Sequence, residues 1–172
     1  MRSAALRLPE VQEWLHQSEP MESLANAILS IVHPDLHQMG QMANQVYEAN
    51  AESDKLSDWP SVYSGIDVIV NRLTPPHRDA GGAASSYDLL ISLGEGLADL
   101  HLTDLGAQLT YWPGTLVFLT GRVLEHAVPE WKGGESVAVA HYMKDLLHDR
   151  MGVPCPSLPS QLSWWSKFGS GQ

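Results

Sequence analysis

The rhythm of hydrophobic and polar positions changes once along this chain, near Trp59. Before that point it is helical. Leu24, Ile28, Ile31 and Val32 recur at intervals that place apolar side chains on one face of a helix over 21–32. His33-Pro34 interrupts this face, because proline pushes the preceding residue out of the α region. A second helix is predicted over 34–50, with Pro34 in its first turn and Leu36, Met39, Met42, Val46 and Tyr47 on one stripe. Residues 51–60 are polar and predict a loop. After it come short apolar or alternating runs at 62–71, 87–93, 97–102, 107–112, 115–119, 124–128 and 136–142. Pro113-Gly114 marks a turn between two of them. Helical spacing returns over 143–151. The tail, with Pro154, Pro156 and Pro159, is expected to run over the surface and to be anchored by Trp164, Trp165 and Phe168.

Strands in this number after helices predict an α+β fold, two sheets with the N-terminal helices packed on one of them. A jelly roll is the natural candidate, since a doubled sheet protects strand edges; another sandwich would give the same periodicity. The chain of 172 residues reads as a single domain, with a helical support region 1–58, a β core 59–153 and a tail 154–172. At this length a domain buries roughly 68–70% of its unfolded surface, so the core needs no disulfides.

Composition narrows the function. Lys and Arg number 10 against 20 Asp and Glu, a formal charge of −10. That excludes a polybasic coat for nucleic acid or an anionic-membrane binder. A hydrophobic share of 44% with 17% charged residues excludes a disordered chain. The single cysteine, Cys155, excludes a disulfide scaffold and a thiolate zinc cluster. No apolar run approaches the ~20 residues that cross a bilayer, and no apolar segment follows the N-terminal arginines. A soluble intracellular protein is expected, nuclear if it works on DNA and otherwise cytoplasmic.

The candidate chemistry lies in Asn71-Arg72-Leu73-Thr74-Pro75-Pro76-His77-Arg78-Asp79. Residues two apart on extended backbone point the same way, so His77 and Asp79 could present an imidazole and a carboxylate to one point. His126 lies on a later apolar run. Two imidazoles and one carboxylate form the set that holds non-haem Fe(II) on one face and leaves the other open. A second reading is a turn in which Asp79 accepts backbone N–H bonds and His77 is solvated. The spacing leaves both open.

The residues around this segment resemble the fungal members of the TET/JBP class of 2-oxoglutarate- and Fe(II)-dependent dioxygenases. The resemblance rests on Trp59-Pro60-Ser61-Val62-Tyr63, NRLTPPHRD at 71–79, YDLLISLG at 87–94, YWPGTLVFLTGRVLEHAV at 111–128 and VAVAHYMKDLLHDRMGV at 137–153. It implies a double-stranded β-helix, which is a jelly roll, with His77, Asp79 and His126 as iron ligands and Asn71 near the co-substrate. It also implies an arginine at the start of the strand after the second histidine, holding the far carboxylate of 2-oxoglutarate. That position is Ser136 here, in Gly134-Glu135-Ser136. A hydroxyl cannot supply the charge of a guanidinium, so a substitute is expected among Arg72, Arg122, Lys132 and Lys144, with Arg122 the first choice. His141 lies on the strand expected to face the site. Tyr87-Asp88, matching the family, is expected to position the ligand loop or touch substrate, and Arg78 to lie beside it. The implied reaction consumes O₂ and oxidises the methyl group of 5-methylcytosine or thymine in DNA, on a base turned out of the duplex. Two other readings remain. Ser136 fits a degenerate relative that binds without turnover, and the acidic balance fits a dioxygenase for a small molecule or a protein.

Overall fold

The structure is a computed structural model that describes residues 4–50, 59–160, 162 and 166. The expected loop over 51–58 and the aromatic anchor at Trp164, Trp165 and Phe168 lie outside the described residues. The chain divides into two compact units, Met1–Val62 with His148–Pro154, and Tyr63–Leu147 with Cys155–Gln172.

The first unit contains a 3-10 turn (Ala4–Arg7) and the helices α1 (Pro9–Val32) and α2 (Pro34–Asn50), which pack against each other. Helix α1 starts at Pro9, well before the predicted residue 21. Its buried stripe is Leu15, Ser18, Glu22, Ala25 and Leu29, at alternating steps of three and four. Two of these residues are polar and one is small, so counting apolar residues passes over the stripe. The predicted face is rotated away from it, with Leu24 53% and Ile31 57% exposed. On α2 the buried positions are Leu36, Met39, Gly40 and Ala43, and Met42 is exposed. Between the helices, His33 donates its N–H to the Leu29 carbonyl at 2.8 Å, and its Nδ1 accepts the Leu36 N–H at 3.3 Å. One residue thus closes α1 and caps α2. Asn26 donates to the Pro60 carbonyl and accepts the Val62 N–H, and Asn44 donates to the Ser61 carbonyl, which ties 60–62 to the helices.

The second unit is built on β1 (Gly65–Val70), β2 (Thr74–His77), β3 (Asp88–Gly94), β4 (Leu97–Leu102), β5 (Ala107–Tyr111), β6 (Leu116–Leu119), β7 (His126–Val128), β8 (Trp131–Lys132) and β9 (Ser136–Tyr142). A short helix, α3 (Asp145–Met151), follows. All described pairings are antiparallel. One sheet runs β1-β9-β3-β6; the other runs β2-β7-β4-β5, with β8 beside β4. The chain crosses repeatedly between the two sheets, with β4-β5 and β7-β8 as consecutive strands of one sheet, which is a double-stranded β-helix, here preceded by helices. Ala98, Leu100, Leu102, Tyr111 and Leu119 form a buried cluster within it.

Two strands depart from the sequence expectation. Trp131–Lys132 is too short to show a period. At 75–76 the proline pair, expected to end a strand, lies inside β2. Among the described residues strand β2 pairs only with β7, which makes it a sheet edge, and an edge tolerates proline because its outer side has no N–H to place in a ladder. The break falls earlier, at Asn71, whose φ of 49° turns the chain between the two sheets. Asparagine adopts that left-handed conformation more readily than most residues.

Candidate metal centre and its cavity

Strand register brings the two histidines together. His77 ends β2 directly opposite His126, the first residue of β7, and residues so paired stand side by side on one face. The imidazole centroids are 4.3 Å apart. Asp79, two residues past His77, places Oδ1 3.4 Å from His77 Nε2 and Oδ2 3.7 Å from His126 Nε2. One donor atom from each of the three residues falls within 4.8 Å of the others.

Neighbouring carbonyls set the tautomers. His77 Nδ1 lies 2.9 Å from the Pro75 carbonyl oxygen, and His126 Nδ1 lies 3.0 Å from that of Leu124. A carbonyl only accepts, so each Nδ1 carries the proton and each Nε2 presents a lone pair to the common point. That is the arrangement in which a metal-binding histidine is held by its other nitrogen. An N₂O donor set without thiolate suits Fe(II).

Gly121 packs under this set. Its carbonyl accepts the Asp79 N–H at 2.9 Å, and its N–H donates to Asp88 Oδ2 at 3.2 Å. A Cβ here would collide with the Asp79 carboxylate and stand 2.6 Å from Asp88 Oδ2. Burial, with the Asp79 charge close by, pushes the Asp88 carboxyl up to about 7, while the Gly121 N–H opposes the shift. Nothing in the local sequence Thr120-Gly121-Arg122 signals this role; it arises from the approach of 121 to 79 and 88 in the fold.

The centre opens into a cavity of about 500 Å³, lined from both sheets. On β9 the alternating Ser136, Ala138, Ala140 and Tyr142 face it. His141 also lines it, fully buried and tilted against the Tyr63 ring at 5.5 Å. Asp88 is on the wall, whereas Tyr87 is half-buried outside the lining. Among the cations considered as anchors, Arg72 and Lys144 line the cavity. Arg122, the first choice, does not; its guanidinium donates to the Ala80 carbonyl at 2.8 Å. Lys132 is exposed on β8, also outside the lining. Asn71 is exposed and works on the backbone: its Oδ1 accepts the Ser136 N–H at 2.9 Å, and its own N–H donates to the Ser136 carbonyl.

Arg78 faces away from the cavity. It donates to the Val123 carbonyl at 3.0 Å and pairs with Asp104 at 2.7 Å and Glu125 at 3.5 Å. The Glu125 N–H donates to Asp104 Oδ2. The residue between two candidate ligands is thus tied to the segment that leads into the third.

This fold and donor set define a class, the jelly-roll oxygenases with a His-x-Asp and a distant His. The sequence model of the TET/JBP family, described as the oxygenase domain of the 2OGFeDO superfamily, matches residues 1–145. The chain belongs to that family, whose superfamily uses Fe(II) and 2-oxoglutarate. Among solved structures it is similar to NgTET1 in complex with 5mC DNA, with a TM-score of 0.62 and 14% identity over 98% of this chain; it spans 63% of that protein. A cupin 2 conserved barrel domain protein from Salinispora arenicola CNS-205 matches more weakly, with a TM-score of 0.36 and 20% identity over 61% of this chain and 90% of that one. No curated protein sequence gives a significant match. Among the described residues no helix is long and apolar enough to cross a membrane.

Proposed function

We propose that this chain is an Fe(II)- and 2-oxoglutarate-dependent dioxygenase that oxidises the methyl group of a modified nucleobase, 5-methylcytosine or thymine, in DNA. The observation that carries the reading is the convergence of two fixed Nε2 lone pairs and the Asp79 carboxylate at the wall of a cavity. His77, Asp79 and His126 are the metal ligands. Bound there, Fe(II) with 2-oxoglutarate and O₂ supplies oxidation of an unactivated C–H bond, with succinate and CO₂ as co-products. Pro75 and Leu124 hold the imidazole tautomers, and Gly121 holds Asp79. Leu90, Leu100, Val128, Ala138 and Ala140 form an apolar wall that excludes water from the reacting bond. Arg72, which lines the same cavity as Ser136, takes the place of the family's arginine as the cation for the far carboxylate.

A cavity of this size accommodates a co-substrate and a base turned out of the stack. The likeness to NgTET1, solved with 5mC DNA, supports that substrate. With Arg78 committed to Asp104 and Glu125, and Arg122 to a carbonyl, few cations near the centre are left for phosphates. DNA affinity is therefore expected to fall only weakly with salt.

Ser136 favours a second reading, a module that keeps the metal and does not turn over. Succinate release is measured with Fe(II) and 2-oxoglutarate, with methylated and unmethylated oligonucleotides. Release dependent on the methylated strand is the expected result. Release only after Ser136→Arg supports the second reading, and none with any substrate refutes the first.

A further inference from the structure

The inner wall holds a polar group that the centre does not use. Tyr111 ends β5, is only 3% exposed, and lines the cavity. Its hydroxyl finds no hydrogen-bond partner among the described residues. Such an orphan is uncommon, because leaving a buried donor unpaired costs free energy. Burial also pushes the phenol up, so it stays protonated and able to donate across the physiological range.

Its position in the sheet is informative. His126 stands opposite Leu102, whereas Tyr111 stands opposite Ala98 on the same strand β4. The four residues from Leu102 to Ala98 correspond to about 13 Å along the sheet. The Tyr111 carbonyl accepts the Ser92 hydroxyl at 3.0 Å, and Ser92 pairs with Ala138, two residues from Ser136. Asn71 is hydrogen-bonded to Ser136 through its backbone N–H and its Oδ1, and Arg72, the next residue, lines the same cavity. Tyr111, Ser136 and Arg72 therefore belong to one end of the cavity and the metal ligands to the other. A five-carbon dicarboxylate held at the metal end by its keto-acid group would direct its second carboxylate toward that far end.

We infer that Tyr111 is a co-substrate-positioning residue, its phenol O–H donating to the far carboxylate of 2-oxoglutarate alongside the Arg72 guanidinium. This rests on the dioxygenase reading above. It gives the orphan donor a partner and offsets the missing arginine with one neutral and one charged donor. It also makes the site selective for dicarboxylic 2-oxo acids over monocarboxylic ones, which leave the phenol unpaired.

The test uses the full chain loaded with Fe(II) in the absence of oxygen. Affinity is read from the visible charge-transfer band that a 2-oxo acid produces on chelating iron. 2-Oxobutanoate chelates in the same way and lacks the far carboxylate. The unaltered protein is expected to prefer 2-oxoglutarate, and Tyr111→Phe to bind it about ten- to a hundred-fold more weakly, with 2-oxobutanoate and Fe(II) affinities unchanged. Metal-free Tyr111→Phe is expected to melt about 2–6 °C higher, because the substitution removes a buried unpaired group. That measurement also reports whether the variant is folded. An unchanged preference in Tyr111→Phe, or equal weakening for both acids, overturns the assignment and leaves the dioxygenase reading standing. No band with either acid in the unaltered protein overturns that reading, and this one with it.

Discussion

The two ends of the cavity are built in different ways. At the metal end each donor is fixed by a partner that has no other geometry to offer: the Pro75 and Leu124 carbonyls for the imidazoles and the Gly121 backbone for Asp79. At the far end the guanidinium expected at 136 is replaced by a hydroxyl, an exposed Arg72 lines the same cavity one residue past the Asn71 turn, and a buried phenol lacks a described partner. Strand register dictates the first end, since His77 and His126 are cross-strand neighbours. The second depends on a loop, the turn at Asn71. Rigid elements position groups more closely than loops do, so substitutions at the metal end are expected to have the larger effects.

The largest is at His126. His126→Ala removes one of the three proposed ligands and leaves the jelly roll's other strands paired. Loss of an outer-shell partner alone costs about 10–100-fold in metal affinity, so Fe(II) affinity is expected to fall by about two orders of magnitude or more, read by competition with a metallochromic chelator. Retained affinity would mean that His126 is not a ligand and that the contrast between the ends is false.

Gly121→Ala comes next. The added Cβ meets the half-exposed Asp79 carboxylate and the buried Asp88 carboxylate, and overpacking of this kind costs about 1–3 kcal/mol. The melting temperature is expected to drop by about 2–10 °C, with Fe(II) affinity weakened about ten-fold or more because Asp79 is displaced. A stability loss with unchanged metal affinity would show that Gly121 supports the wall and not the ligand.

Parts of this were legible in the sequence. The change of rhythm at Trp59, helix α2 and most strand ranges follow from periodicity. The spacing of His77 and Asp79 with a distant His126 leaves two readings open, the family resemblance implies all three as ligands, and the structure brings their side chains together. The start of α1 was hidden because its buried stripe includes Ser18 and Glu22. Strand β2 was hidden because proline reads as a terminator unless the strand is known to be an edge. Arg122 precedes His126 in the chain, yet its guanidinium turns to the Ala80 carbonyl, whereas Arg72, one residue past the Asn71 turn, lines the cavity. Gly121 and Tyr111 have no local signal, since what matters about each is the approach of residues far away in sequence.

Arg72→Met sharpens the comparison at the far end. Arg72 is exposed, and water screens its charge. The expected loss is therefore about ten-fold in 2-oxoglutarate affinity, at the low end for a charge-assisted pair, with Fe(II) affinity unchanged in the same titration. Equal losses for the metal and the co-substrate would erase the distinction between the two ends.

Asn71 should give the smallest effect, and one that divides into parts. Its side chain caps Ser136, and its φ of 49° suits few residues other than asparagine and glycine. Asn71→Ala loses both the hydrogen bond and the conformational tolerance, at a cost of about 1–2 kcal/mol. Asn71→Gly loses only the hydrogen bond and regains the conformation, so it is expected to cost about half as much. Thermal melts of the pair separate the two contributions, with Asn71→Ala expected about 2–4 °C below Asn71→Gly. Both variants should bind Fe(II) normally and 2-oxoglutarate a few-fold more weakly, because the turn aims Arg72 and makes no contact with the metal. If the glycine variant were the less stable, the turn would be held by the side-chain cap alone, and the far end would be as firmly specified as the metal end.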